Sequence, residues 1–470
     1  MKSFRSTGFL MGFLTLFLSF CAESAIAQNN SGSEKPEAIV ADSILTSQVP
    51  DSIAEQLDAI YRIYDSIAIS DNLLFRLLGW TYDLINKPES ALAFGPLSLD
   101  LAKMINLSRS RGWYFGLATF TNDRFSQHLR LNGFFGYWTR AKYFDYGGGL
   151  KWLIDKQRQT ELGLRFTNRS DALGKFGDFS EDRFLLSEND YKYNFYENVS
   201  VRKKATELQF STRFARHFKA YLNLSSIQKR YIAHYYHVLP DSLSEARFSN
   251  AEIKLRFAYD EKFISGPDGL QSLGTVYPIV WISYEHSFPM LGGQFEFDRV
   301  QLEATQNIYT PYMGVAKVVL QLGYASKSCP VMETFNILGS NEPLSLYAPG
   351  SFSTMGCNEN DVFFCDRFVA LYLSHNFSGM LWRPTSQWFQ PELTVATNIG
   401  WGDMRRAKDF PDKNFKTMEK GYFESGFVVK GLLNLPMVKV GLGAFYRYGP
   451  YAFDNVWDNF AFKWSATFSL

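Results

Sequence analysis

The segment Trp457–Leu470, WDNFAFKWSATFSL, alternates almost without error. Phe460, Phe462, Trp464, Ala466, Phe468 and Leu470 fall on one face, and Asn459, Ala461, Lys463, Ser465, Thr467 and Ser469 on the other. Successive strand residues point to opposite sides, so the segment predicts a strand with one apolar, aromatic face and one small polar face. Such a strand at a C-terminus fits the closing strand of an outer-membrane β-barrel, greasy face to lipid and polar face to the lumen.

The same alternation recurs upstream. Leu208, Phe210, Thr212 and Phe214 interleave with Glu207, Gln209, Ser211 and Arg213. Ile253, Leu255, Phe257 and Tyr259 interleave with Glu252, Lys254, Arg256 and Ala258. Val369, Leu371, Leu373 and Phe377 alternate with Phe368, Ala370, Tyr372 and Asn376, and Val438, Val440, Leu442, Ala444 and Tyr446 with Lys439, Gly441, Gly443 and Arg447. One such strand also suits a soluble sandwich, where the greasy face is core; the number and length of the strands favour a barrel.

Strands are expected near 93–104, 112–121, 129–138, 145–154, 159–168, 204–216, 218–230 and 249–260. More follow near 274–286, 293–306, 309–325, 364–378, 389–401, 418–432, 435–448 and 457–470. The fold class is therefore all-β: a transmembrane antiparallel barrel of about 16 strands, an even number as single-chain bacterial barrels have. Parity then sets the sides: connections 169–203, 326–363 and 402–417 share the outer end, and the tight link Asn434-Leu435-Pro436 lies at the inner end. The first strand is the least distinct, since Leu97 to Ile105 also suits a helix.

Of 470 residues, 17% are aromatic, which suits the girdles of a barrel, and a net charge of +1 supplies no bulk attraction to nucleic acid. Lys2 and Arg5, the apolar run Gly8 to Phe20, and Ala25-Ile26-Ala27 read as a signal peptide, residues 1–27, cleaved after Ala27. Cys21 leaves a lipoprotein alternative, opposed by the bulky Phe20 before it. Residues 28–50 read as a disordered leader and 51–92 as a short helical periplasmic segment. Its first helix has a capping box at Ser52 and Glu55 and an apolar face of Ile53, Leu57, Ile60, Tyr61, Tyr64 and Ile67; its second covers Ser70 to Ile85. The barrel occupies 93–470.

Two stretches carry recognisable wording: GWYFGLATFTNDRFSQHLRLNGFFGYWTRAKYFDYGGGLKW (112–152) and VFFCDRFVALYLSHNFSGMLW (362–382). With GYFESGFVVKGLLNLPMVKVGLGAFYRYG further on, they resemble a family of uncharacterised outer-membrane β-barrels that usually carry an N-terminal carboxypeptidase-regulatory-like domain. The resemblance implies barrels akin to the surface-antigen and outer-membrane assembly superfamily. It implies location and architecture and supplies no catalytic residues. The roughly sixty residues between signal and barrel are too few for the regulatory domain, so a barrel without it is expected.

Candidate chemistry is sparse. His234 and His237 have the types of a metal pair, but three apart on a strand they face opposite ways. Ser374, His375 and Asn376 have the types of a phospholipase site, yet His375 points away from the other two. Gly147-Gly148-Gly149-Leu150-Lys151 lacks phosphate-loop spacing and suits close packing in a strand. Cys329 and Cys357 can bridge or stay free, and Cys365 begins a strand. The aromatic and acidic loop 169–203 and the loop 326–363 are long enough to be functional, the latter to fold back into a barrel. Inward charges Glu207, Arg213, Glu252, Lys254, Arg256, Lys439, Arg447 and Lys463 can form a salt-bridged filling or an ion pathway.

The expected role is a pore or transporter in the outer membrane of a Gram-negative cell, and not an enzyme. The alternatives are assembly or secretion of other proteins, or a surface interaction scaffold. No catalytic, cofactor-binding or metal residue is assigned. The expected partners are outer-membrane lipid and a periplasmic or surface protein; no nucleic acid is expected.

Overall fold

The computed structural model describes residues 93–99, 104–108, 111–122, 124–174, 176–177, 179, 200–230, 245–266, 269–341, 354–359, 362–382, 386, 388–407, 416–435 and 438–468. The expected signal peptide, leader and two helices of 51–92 lie outside these residues, as does the pair His234 and His237.

Strands dominate. The first quarter of the sheet is β1 (Ile105–Ser108), β2 (Gly112–Thr121), β3 (Leu129–Trp138) and β4 (Tyr143–Asp155). Next come β5 (Thr160–Ala172), β6 (Ser200–Ala215), β7 (Phe218–Arg230) and β8 (Glu245–Ala258). Then follow β9 (Ile279–Phe288), β10 (Phe297–Thr310), β11 (Gly314–Ala325) and β12 (Arg367–Asn376). The last are β13 (Glu392–Asp403), β14 (Met418–Leu435), β15 (Val438–Tyr448) and β16 (Phe460–Phe468). Each pairs antiparallel with the next, giving a sixteen-position up-and-down meander.

Alternating direction puts the long connections 173–199, 231–244, 326–366 and 404–417 at one end, here the long-loop end. The links 156–159, 216–217, 311–313 and 436–437 lie at the other, the short-turn end. The parity read from the sequence holds, with exceptions at 259–278 and 377–391, which are long connections at the short-turn end. The first of these carries its own hairpin, Lys262–Gly266 with Gly269–Gly274, which the sequence reading lacked.

Three other expectations need correction. The expected strand 309–325 is broken at Pro311–Met313, where Tyr312 takes a positive φ of 64° and the chain reverses. The closing strand begins at Phe460; Val456–Asn459 is a 3-10 turn capped by Asn455, whose side chain accepts from Trp457 N. The expected strand 93–104 is fragmented. Leu97–Leu99 and Ile105–Ser108 share the position beside β2, and Ala93–Phe94 folds back on Leu97–Leu99. Closure by hydrogen bonding is not found: β16 pairs with β15, and among the described residues no ladder joins it to β1. The leading edge offers only pieces of three and four residues, too little continuous extended backbone to receive the nine of β16.

The two faces differ as the alternation requires. Leu164, Leu208, Leu224, Ile253, Ile282, Val369 and Leu442 point outward and are exposed. Aromatic residues bound this apolar band, with Phe115, Phe144, Tyr324, Trp401 and Trp457 toward the long-loop end and Trp152, Phe214, Tyr259, Tyr309 and Trp388 toward the other. In β16 the outward Phe462 and Trp464 are exposed while Ala461, Lys463 and Ser465 are buried.

Inward, rings lie flat over glycines on neighbouring strands. The Tyr114 ring covers Gly136, where a Cβ would overlap it, and Phe134 sits 2.7 Å from where a Gly147 Cβ would be. Within the run Gly147–Gly149, Gly147 therefore serves close packing along the wall.

Candidate functional site

The described residues of the connection between β11 and β12 do not spread over the surface. Val331, Met332, Phe335, Ile337, Leu338, Met355, Phe363, Phe364 and Cys365 are all buried. A 3-10 turn at Val331–Glu333 leads to a two-residue ladder, Phe335–Asn336 against Phe364–Cys365, and Gly339 bridges Met355 in parallel. The start of the β5–β6 connection joins in: Gly174 N donates to Met332 O, and Asn336 N to Gly174 O. Phe176 packs on Phe335 and Phe368 at 6.2 and 5.5 Å between ring centres. Together these pieces form a plug.

The plug is held by inward side chains from widely separated strands, so the sheet curls around it. On β14, Glu424 is fully buried and accepts from Gly356 N, from Cys357 N at 2.7 Å, from Asn398 Nδ2 of β13 at 2.6 Å and from Tyr422 OH at 3.0 Å. On β16, Lys463 donates to Ser340 O at 2.7 Å, a reach left open by Gly443 directly opposite on β15. Across the interior, Lys229 of β7 meets Glu333 at 2.6 Å, and the Arg299 guanidinium lies 5.1 Å from the Phe335 ring. Gly177 N donates to Gln301 Oε1 of β10 at 2.6 Å. A buried carboxylate costs several kcal/mol in lost hydration unless donors replace the water, and Glu424 has four.

The remaining interior is dense. Arg165 binds Glu207, with Nε at 3.1 Å, and Lys203 lies between Glu207 and Asp171. Lys254 meets Glu252 at 2.8 Å, and Ser283 Oγ donates to the same carboxylate. Arg165, Glu207, Gln209, Tyr221, Asn223, Glu252, Lys254 and Trp281 enclose a void of only about 20 Å³, room for about one water. Of the inward charges read from sequence, this wall shows the filled alternative. Arg447 stacks over Phe453 at 3.9 Å. The side chain of Lys439 lies outside the described residues.

At the short-turn end, Glu261 is clasped by Arg256 in a two-pronged ion pair, with Arg213 at 3.7 Å and Ser272 Oγ donating from the hairpin. Burial by itself would raise the Glu261 carboxyl, but the bonds from Arg256 and Ser272 and the two guanidinium charges hold it below its ordinary value. Arg213 also stacks on Phe263 at 4.4 Å, fixing the hairpin to the inner wall.

The other candidates do not assemble. Ser374 and Asn376 line the interior, whereas His375 faces out, its Nε2 donating to Met313 O at 3.0 Å and its ring edge-on to Phe377. Cys329, Cys357 and Cys365 are free, so the contemplated bridge is absent. Burial pushes the Cys329 and Cys357 thiols above their ordinary range. Among the described residues no group of three or more His, Cys, Asp or Glu could hold a metal ion. Sequence reasoning missed Glu424 and Glu261. The signal for Glu424 was a carboxylate at an inward position between Tyr422 and Gly426.

Residues 76–398 match the family model described as "Family of unknown function (DUF5686) C-terminal domain". The chain belongs to that family. The match ends within β13, before the strands that carry Glu424 and Lys463. Among solved structures, the chain is similar to BamA from Haemophilus ducreyi lacking POTRA domains 1–3: 10% identity over 78% of this chain and 69% of that one, TM-score 0.49. It is also similar to CdiB from Escherichia coli: 10% identity over 80% and 63%, TM-score 0.46. CdiB from Acinetobacter baumannii gives 12% identity over 76% and 57%, TM-score 0.42. No curated protein matches the chain.

Proposed function

We propose that the chain is an outer-membrane β-barrel, exported by a cleaved signal, that works as a pore or transporter closed at rest by its own loop. The exterior supports the membrane assignment: an apolar band edged by aromatic residues, on strands whose opposite face is charged. The observation that carries the closed state is the plug, pinned on one side by Glu424 and Lys463 and on the other by Lys229. Passage then requires these anchors to let go. Outer-membrane lipid is the partner of the exterior, and the role is passage without catalysis.

Planar-bilayer recording of the purified protein tests this. The wild type should conduct rarely, and Glu424→Gln combined with Lys463→Met should raise the open fraction. Silence from both proteins, with both still folded and resistant to protease, overturns the pore reading. Topology is tested by thiol labelling of intact cells: Leu291→Cys, at the long-loop end, should react and Tyr312→Cys, at the short-turn end, should not.

One observation favours a second reading, assembly or secretion of other proteins. The outer edge of β16 carries no ladder among the described residues, and an unpaired strand edge can template another strand. Co-purification of a periplasmic or surface protein with a silent barrel favours that reading.

A further inference from the structure

The outward face of β6, β7 and β8 is arranged in rows by ladder register. Nearest the long-loop end, Arg202, Arg230 and Glu245 lie side by side; the next row is Lys204, Gln228 and Arg247. Beneath come Thr206, Ser226 and Ser249, then Leu208, Leu224 and Ala251, then Phe210, Leu222 and Ile253. The face thus passes within five rows from cations through hydroxyls to hydrocarbon.

Among the described residues the cations outnumber their partners. Arg230 and Arg247 are exposed and approach the same carboxylate, Glu245, at 3.5 and 3.9 Å, both loose. Lys204 is exposed, and Arg202 stands directly opposite Arg230, a like-charge pairing that destabilises a ladder. Arg202 is held there by Phe144 O, Asp145 and Asn168. The rim of β12 and β13 differs: Arg367 meets Asp403 at 2.6 Å and Arg405 meets Asp366 at 2.9 Å, one carboxylate to each cation.

We propose that the β6–β8 face binds a phosphate-bearing lipid headgroup in the leaflet at the long-loop end. Lys204, Arg230 and Arg247 neutralise the phosphate, Thr206 and Ser226 supply hydroxyl donors beneath it, and the acyl chains lie on Leu208, Leu224, Phe210 and Leu222. The proposal rests on the membrane reading above. Charge complementarity selects the headgroup, and continuity with the apolar band selects a lipid over a soluble anion.

The test uses the full chain in neutral detergent, with native mass spectrometry after adding diphosphorylated lipid A or, as the neutral control, phosphatidylcholine. The wild type should retain lipid A selectively, and excess inorganic phosphate should not displace it. The triple variant Lys204→Gln, Arg230→Gln, Arg247→Gln should lose on the order of a hundredfold in affinity, three interfacial charges' worth. It should keep its heat-modifiable mobility, as should the wild type. Equal retention by the variant overturns the proposal, as does displacement by inorganic phosphate. Binding that emerges only after deletion of 181–197 also overturns it, because that acidic segment would then be the occupant. A chain that stays soluble without detergent fails on the membrane reading instead, whatever its lipid binding.

Discussion

The wall of β5–β9 and the wall of β13–β16 both bury charge toward the interior, and they satisfy it differently. On the first, strand side chains meet one another: Arg165 with Glu207 and Lys203 with Asp171 between β5 and β6, and Lys254 with Glu252 along β8. On the second, the inward charges spend their bonds on loop backbone, Glu424 on Gly356 and Cys357 and Lys463 on Ser340. Apart from Lys229, whose partner Glu333 belongs to the plug, these pairs of the first wall stay satisfied whatever the plug does, and the second wall depends on it. If the plug moves, most of the energetic cost of opening is set on the β13–β16 side, with the Lys229–Glu333 pair adding to it from β7.

Glu424→Ala should show the largest effect. It strands two buried backbone N–H groups and the Tyr422 hydroxyl, leaves the Asn398 amide with Thr354 O alone, and leaves Lys463 without the neighbouring negative charge. Breaking a buried charged network by one partner costs about 3–5 kcal/mol. Hydrogen exchange of residues 354–359 should accelerate while β6 and β7 stay protected. Unchanged protection at 354–359 would break the contrast between the walls.

Trp464→Lys tests the outer face of the same wall. Trp464 is 59% exposed beside Leu442, one residue from buried Lys463. A charge at the middle of the apolar band costs about 2–4 kcal/mol, falling to about 0–1 at its edge. Refolding into lipid vesicles at graded urea reads the loss. A stable Trp464→Lys barrel would mean that this face does not meet lipid.

The difference between these two neighbours was legible in the sequence, since strict alternation assigns Lys463 and Trp464 to opposite sides. Alternation also set the bounds of β2, β3 and β7, where polar turns flank the strands. It failed at Pro311–Met313, where Tyr309, Tyr312 and Met313 carry the apolar pattern through a reversal. The plug was foreseen only as a loop long enough to fold back. Its anchors join residues far apart, Lys463 to Ser340 and Glu424 to Cys357, and no local pattern encodes such pairs. Glu261 was hidden for a related reason: it lies between strands, and its partners come from β6, β8 and a hairpin with no strong alternation.

Glu261 adds a pH dependence at the short-turn end. Its carboxyl is held below the ordinary value of 4.5, so the clamp contributes fully above that value and is lost as pH falls through the lowered one. Charged hydrogen bonds of this kind are worth roughly 1.5–3 kcal/mol. Hydrogen exchange of 262–274 should stay slow at pH 5 and quicken only at more acid pH, and Glu261→Gln should quicken it at neutral pH. Release of the hairpin at pH 5 in the wild type would remove Glu261 as its anchor.

The smallest expected effect is the sharpest test of the two walls. Arg165→Met alone leaves Glu207 buried with the more distant Lys203, at 3.8 Å, and the charge of Arg169, and should destabilise clearly. Adding Glu207→Leu removes the uncompensated charge, and replacing a buried pair by apolar groups of similar size is often close to neutral. The double variant should therefore return to within about 1 kcal/mol of wild type, a large coupling between two side chains in contact. Lys203 keeps Asp171 throughout. No equivalent rescue exists for Glu424, because two of its four donors are backbone N–H groups, which no change of partner side chain to an apolar one removes. If the Arg165 and Glu207 losses instead add, the first wall too draws its stability from something beyond its own pairs, and the division between self-satisfied and plug-dependent walls fails.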